Sequence, residues 1–147
     1  MSDTISIVLA DDHPVVRAGI RATLEAEPDI EVLAEGDNGR DAQALAAEHQ
    51  PDILVLDLSM PGPQATDTIH FLKTHAPKTR VLMLTAHDDD TYIRQVMRAG
   101  VAGYLLKEEA PDTIIKAVHA INQGAAWFSQ SVADKFMQWQ FGREPEL

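Results

Sequence analysis

Cysteine is absent from the 147 residues, which excludes disulfides, thiolate metal sites and a cysteine nucleophile and is compatible with a reducing compartment. No apolar run approaches the length of a membrane span, and the opening Met1-Ser2-Asp3-Thr4 is polar and acidic, without a charged-then-apolar leader. A soluble, cytoplasmic protein with no membrane partner is therefore expected. Basic residues are scarce: 12 Lys and Arg stand against 23 Asp and Glu, for a formal net charge of -11. That balance works against a direct grip on a nucleic-acid backbone, which calls for a basic face. No internal repeat is detectable. The 45% hydrophobic content suffices for one globular domain and a short extension that fold without covalent staples.

Along the chain, short apolar runs alternate with amphipathic stretches. Ile5 to Ala10 is a β-branched run that ends on Asp11-Asp12. Pro14 then suits a first helical turn, and Val16, Ile20 and Leu24 recur every four residues, so a helix follows until Pro28-Asp29. Ile30 to Ala34 reads as a weaker strand and Arg40 to His49 as an alanine-rich helix with Leu45 facing inward. Ile53 to Leu56 shows no polar alternation, the mark of a central parallel strand buried on both faces, and it stops on Asp57. A helix over Ala65 to His75 comes next, then the strand Val81 to Leu84 ending on Thr85, and an acidic loop from His87 to Asp90. Tyr92 to Ala99 forms a helix stopped by Gly100, and Tyr104 to Leu106 is a strand ending on Lys107. Pro111 opens the helix carrying Ile114, Ile115, Val118 and Ile121, which Gly124 closes.

Strand and helix alternate five times, which predicts an α/β fold with a parallel sheet and helices on both faces. An isolated aspartate after a strand ordinarily begins a turn. Here, however, open sheets of this kind bind ligands beyond the carboxyl ends of their strands, and that edge would collect Asp11, Asp12, Asp57, Thr85 and Lys107. Clustered carboxylates repel unless a cation sits among them, and an oxygen donor set suits a hard ion such as Mg²⁺. A carboxylate freed to attack phosphorus, with a lysine and a hydroxyl to receive the phosphoryl oxygens, fits phosphoryl transfer better than proton abstraction.

Asp11-Asp12, Asp57 with Met60-Pro61, Thr85-Ala86, and Gly103-Tyr104-Leu105-Leu106-Lys107 together resemble the receiver domain of two-component response regulators, over about Ser6 to Gly124. Asp11-Asp12-His13-Pro14 and the stretch from Thr85 to Lys107 are most similar to the NarL/FixJ (LuxR-type) subgroup. The resemblance implies a flavodoxin-like, doubly wound five-stranded sheet of order 2-1-3-4-5. It also implies Asp57 as phosphoacceptor from a histidine kinase, Mg²⁺ on Asp12, Asp57 and the Ser59 backbone carbonyl, and Asp11 at the same metal site holding a metal-bound water. Thr85 and Lys107 would bind the phosphoryl group, and Tyr104 would turn inward as Thr85 moves. Such a domain is a signalling module, not an enzyme, with at most autophosphorylation and autodephosphorylation. Phosphorylation would drive homodimerisation, and DNA would be reached only through a C-terminal domain absent from this chain.

The chain departs from that pattern in places. Ala65 or a neighbour stands where a glycine is usual, Thr66 and Asp67 stand where an apolar residue follows, and Glu108 replaces a frequent proline. Ser59 and His87 occupy loop positions that tend to influence dephosphorylation. The histidines, His13 included, read as surface or packing residues rather than phosphate carriers or metal ligands. Tyr104 could instead be a half-exposed strand aromatic. Residues 1–124 are expected to be the receiver and 125–147 an extension: an extended Ala125 to Phe128, a short helix capped by Ser129 with Val132, Phe136 and Trp139 near one-turn spacing, and a linker from Gly142 to Leu147. A stand-alone or degenerate receiver acting as an interaction module is the alternative. A haloacid dehalogenase-type phosphatase is disfavoured, since Ser59 stands where its second aspartate belongs.

Overall fold

The computed structural model describes residues 4–86 and 90–141, without the side chains of residues 90–92, 136 and 139–141. The expectations for His87, for the loop from His87 to Asp90, for the Phe136 and Trp139 side chains and for the linker from Gly142 fall outside the described residues. The elements are β1 (Ile5–Ala10), α1 (Pro14–Glu25), β2 (Ile30–Gly36), α2 (Gly39–His49), β3 (Ile53–Asp57), α3 (Ala65–His75), β4 (Arg80–Thr85), α4 (Asp90–Ala99), β5 (Gly103–Leu106), α5 (Ala110–Asn122), β6 (Trp127–Phe128) and α6 (Gln130–Phe141). All strand pairs are parallel, in the order β2-β1-β3-β4-β5-β6. The order 2-1-3-4-5 holds, and one short strand is added beyond it.

Continuous apolar strands follow from burial on both sides, because successive side chains point to opposite faces. Ile5, Ile7 and Leu9 of β1, Ile53 and Val55 of β3, Leu82 and Leu84 of β4 and Leu105 of β5 pack with Ile20 and Leu24 of α1 and Ile114, Val118 and Ile121 of α5. The alternate residues, Val8, Leu54, Leu56, Met83 and Tyr104, pack on the other face with Ala42, Ile69, Leu72, Ile93 and Val96. The four-residue spacing read in α1 is the face that Ile20 and Leu24 bury. Gly100 ends α4 at φ +98° and Gly124 follows α5 at φ +96°, left-handed conformations that glycine adopts without strain.

The unusual loop into α3 acquires a purpose. Asp67 Oδ2 accepts the Gln64 N–H at 3.2 Å, satisfying a donor at the helix start, and Thr68 is buried where its Oγ1 accepts from Gln43 Nε2 at 3.2 Å. Asp67 is polar there because it bonds backbone at the helix start, and its neighbour Thr68 bonds α2. Past α5, β6 pairs with β5, matching Gly103 to Trp127 and Tyr104 to Phe128. Ser129 N donates to the Tyr104 carbonyl at 3.0 Å, and Ser129 Oγ accepts from Val132 N at 3.4 Å, capping α6 as its hydroxyl suggested. Val132 is fully buried in the core on the α4 side, so the extension is packed against the domain. Among the described residues, no helix is long and apolar enough to cross a membrane.

Candidate functional site

The strand register aligns one edge of the sheet. Ala10 pairs with Leu56, Asp57 with Leu84 and Thr85 with Leu106, so the residues that end the strands stand side by side. Ladder bonds run just past these ends: Asp11 N to the Gly36 carbonyl (3.1 Å), Leu58 N to that of Leu84 (2.8 Å) and Lys107 N to that of Thr85 (2.7 Å). The polar residues are thus carried by hydrogen-bonded backbone. The chain passes from β1 outward to β2 and returns to β3 on the other side of β1, so Asp11 and Asp57 flank the point where the sheet reverses its winding.

Asp11, Asp12, Asp57 and Lys107 come together there. Lys107 Nζ donates to Asp57 Oδ2 at 3.0 Å and to Asp11 Oδ1 at 3.2 Å. Asp57 is 2% exposed, and its Oδ1 accepts the Ser59 N–H at 3.2 Å. Burial pushes its carboxyl from the ordinary 3.8 up to about 6, against the opposing hydrogen bond and charge of Lys107. Asp11 is fully buried, and among the described residues its Oδ2 has no hydrogen-bond partner. Thr85 is buried at the tip of β4, and Tyr104 is fully buried on β5 in the core that contains Met83, Ile93 and Val96. Tyr104 is therefore not a half-exposed strand residue. β6 pairs with β5 on its outer side and removes β5 from the sheet edge.

Two neighbours of the site were given no part in it by the sequence. His13 is exposed, as a surface residue should be, yet its Nδ1 lies 3.2 Å from Asp11 Oδ1, 3.1 Å from Asp12 Oδ1 and 2.8 Å from Lys107 Nζ. Its position directly after the acidic pair was the available signal. Arg17, one turn into α1, donates through a guanidinium nitrogen to the Asp11 carbonyl at 2.7 Å and through Nε to Glu35 Oε1 at 3.1 Å; Arg21 also pairs with Glu35. Spacing within α1 could place Arg17 and Arg21 on one face but could not supply Glu35, which comes from β2.

One donor atom from each of Asp11, Asp12, His13 and Asp57 lies within 4.8 Å of all the others. Three carboxylates, with two buried oxygens (Asp11 Oδ2 and Asp12 Oδ1) that accept no hydrogen bond among the described residues, fit a divalent cation on the chemistry of the donors.

Comparison with known proteins agrees with this geometry. Residues 7–119 match the family model described as response regulator receiver domain. The transcriptional regulatory protein DegU of Brevibacillus brevis is 36% identical over 134 residues, covering 91% of this chain and 57% of that protein. A LuxR-family two-component response regulator from Aurantimonas sp. has a crystal structure superposing with a TM-score of 0.86 at 32% identity, over 93% of this chain and 98% of that one. The isolated receiver domain of RcsB from Salmonella enterica serovar Typhimurium, solved with the phosphomimetic BeF₃⁻, superposes with a TM-score of 0.81 at 28% identity over 89% and 97%. The chain spans 57% and 66% of the lengths of the first two curated relatives it matches. A parallel sheet with this winding, an acidic cluster at its reversal point and a receiver match across most of its length establish that the chain belongs to the response regulator receiver family, alongside its LuxR-type members.

Proposed function

We propose that Asp57 accepts a phosphoryl group from a phosphohistidine of a sensor histidine kinase, in a reaction that requires Mg²⁺. The observation that carries this is Asp57 itself, a buried carboxylate held by Lys107 Nζ at 3.0 Å beside two further aspartates at the strand tips. With its carboxyl at about 6, Asp57 is mainly ionised at neutral pH and able to act as a nucleophile. Its oxygen would bond to phosphorus as the phosphorus–nitrogen bond breaks and the electron pair returns to the kinase imidazole, leaving an acyl phosphate. Asp12, Asp57 and the Ser59 backbone carbonyl would hold Mg²⁺, with Asp11 reaching it through a bound water, and the ion would supply positive charge against the phosphoryl oxygens. Lys107, released from Asp57 Oδ2, would bind one such oxygen and the Thr85 hydroxyl another.

The response would travel through Thr85 and the buried Tyr104 to the face formed by α4, β5 and α5, where β6 covers the edge of β5, as a shift between two existing conformations. Residues 1–124 would act as the receiver and 125–147 as a packed extension and linker leading to a helix-turn-helix domain outside this chain. Homodimerisation on phosphorylation would then set DNA binding and transcription, in keeping with relatives named as transcriptional regulators. A phosphatase would need a second acid two residues beyond Asp57, where Ser59 stands.

Incubation with Mg²⁺ and a small acyl phosphate, read by intact mass, tests the assignment. The unaltered chain gains one phosphate and Asp57→Asn gains none; equal uptake by both, or none by either, removes Asp57 from the role. Sedimentation with and without beryllofluoride tests the switch, with self-association expected only in its presence; identical profiles would remove homodimerisation.

A further inference from the structure

His13 is placed by its backbone. Its N–H is held by Asp11 Oδ1 at 2.8 Å, and Pro14 at the start of α1 limits the chain on its other side. The ring is thereby brought over the carboxylates, with Nδ1 facing Lys107 Nζ at 2.8 Å. A lysine ammonium only donates, so in this contact Nδ1 is the acceptor and the ring proton belongs on Nε2. The approaches of Nδ1 to Asp12 Oδ1 (3.1 Å) and Asp11 Oδ1 (3.2 Å) then bring lone pairs toward lone pairs. Asp11 Oδ2 and Asp12 Oδ1 are buried and, among the described residues, accept no hydrogen bond. Lys107 alone leaves these acceptors underserved, and three carboxylates gathered with an imidazole nitrogen are completed by a cation, to which Nδ1 can give its lone pair once its contact with Lys107 is exchanged for the ion.

The nature of that cation follows from the nitrogen. Mg²⁺ prefers oxygen donors, whereas imidazole suits first-row transition ions. We propose that His13 Nδ1 is a fourth donor at the cation site, so that this chain binds a divalent first-row transition ion there in addition to Mg²⁺ and holds it more tightly. The proposal rests on the assignment of Asp11, Asp12 and Asp57 to the cation site, and adds to it a residue that the sequence alone consigns to the surface. His13 is more than half exposed, so its replacement removes a donor without opening the core.

Calorimetric titration of the metal-free chain with Mg²⁺ and, separately, with Co²⁺ tests this, with visible absorption of bound Co²⁺ as a second readout of nitrogen ligation. Glu27, Asp29 and His119 form another group able to hold a metal, with His119 Nε2 2.8 Å from Asp29 Oδ2, so all measurements are made in a His119→Ala background. His13→Ala is expected to lower the ratio of Co²⁺ to Mg²⁺ affinity about tenfold or more and to change the Co²⁺ spectrum. Loss of even an outer partner typically weakens metal binding about 10- to 100-fold. Asp57→Asn is expected to weaken Co²⁺ binding as well. A ratio unchanged within about twofold while Mg²⁺ still binds overturns the role of His13 alone, and a Co²⁺ signal insensitive to Asp57→Asn puts the ion elsewhere and also overturns it. No Mg²⁺ binding by the unaltered chain overturns the cation site on which both readings depend.

Discussion

Asp57→Asn should stabilise the metal-free chain at neutral pH. The carboxylate is buried beside Asp11 and Asp12, and its pKa rises from 3.8 to about 6. Between those values the folded state binds more protons than the unfolded one, so stability falls as pH rises through the window, and above it the loss is complete. At about 1.4 kcal/mol per tenfold change in proton affinity, the ionised carboxylate costs about 3 kcal/mol. Asparagine keeps the shape and removes the charge, but gives up the bond to Lys107, which retains Asp11 Oδ1 at 3.2 Å. A net gain of about 1–3 kcal/mol is expected at pH 8, raising Tm by about 3–10 °C for a chain of this size. The gain should be roughly half as large at pH 5 and should shrink when Mg²⁺ is added, because a cation stabilises the unaltered carboxylate instead. Urea denaturation of both forms in chelator at pH 5 and pH 8 measures it. An Asp57→Asn chain less stable than its parent at pH 8, or a gain independent of pH, would refute burial as the dominant influence on this carboxyl.

Three further changes probe the supports of the site and the extension. Arg17→Ala removes the donor to the Asp11 carbonyl and the contact with Glu35, and should cost about 1–2 kcal/mol; Mg²⁺ affinity should also fall, and unchanged affinity would show that Arg17 does not position the acidic pair. Ser129→Ala removes the cap on Val132 N and should cost about 1 kcal/mol, with faster amide exchange in α6 as the specific sign; exchange unchanged in α6 would contradict the capping role. Gly103→Ala would set a Cβ 2.6 Å from the Trp127 carbonyl and 2.8 Å from Leu82 Cδ1, so a loss of about 1–3 kcal/mol is expected by denaturation, and wild-type stability would mean that β6 yields freely.

The alternating pattern was legible because each central strand is buried on both faces: Ile53 to Leu56 could be read as interior from composition alone. The site's main residues were legible for a related reason, since Asp57 and Thr85 interrupt apolar runs at points that the parallel register aligns. Less legible were partners that meet only in three dimensions. Glu35 joins Arg17 across 18 residues, and Lys107 reaches His13 across 94, distances over which local spacing carries no information. β6 is only two residues long, too short for a periodic signal, and its pairing with β5 is what buries Tyr104 from that side. Asp67 departs from the family pattern because it serves the start of α3, a need visible only once the Gln64 N–H is placed.

The most direct measurement of the central claim is to locate the phosphate chemically. After reaction with a small acyl phosphate, borohydride converts an aspartyl phosphate into a reduced side chain that peptide mass spectrometry can place. The expected result is one reduced residue, Asp57, in the presence of Mg²⁺ and none in chelator. Reduction at Asp11 or Asp12, or a stable phosphate on His13 with Asp57 unlabelled, would contradict the assignment of Asp57 as the residue where the signal enters.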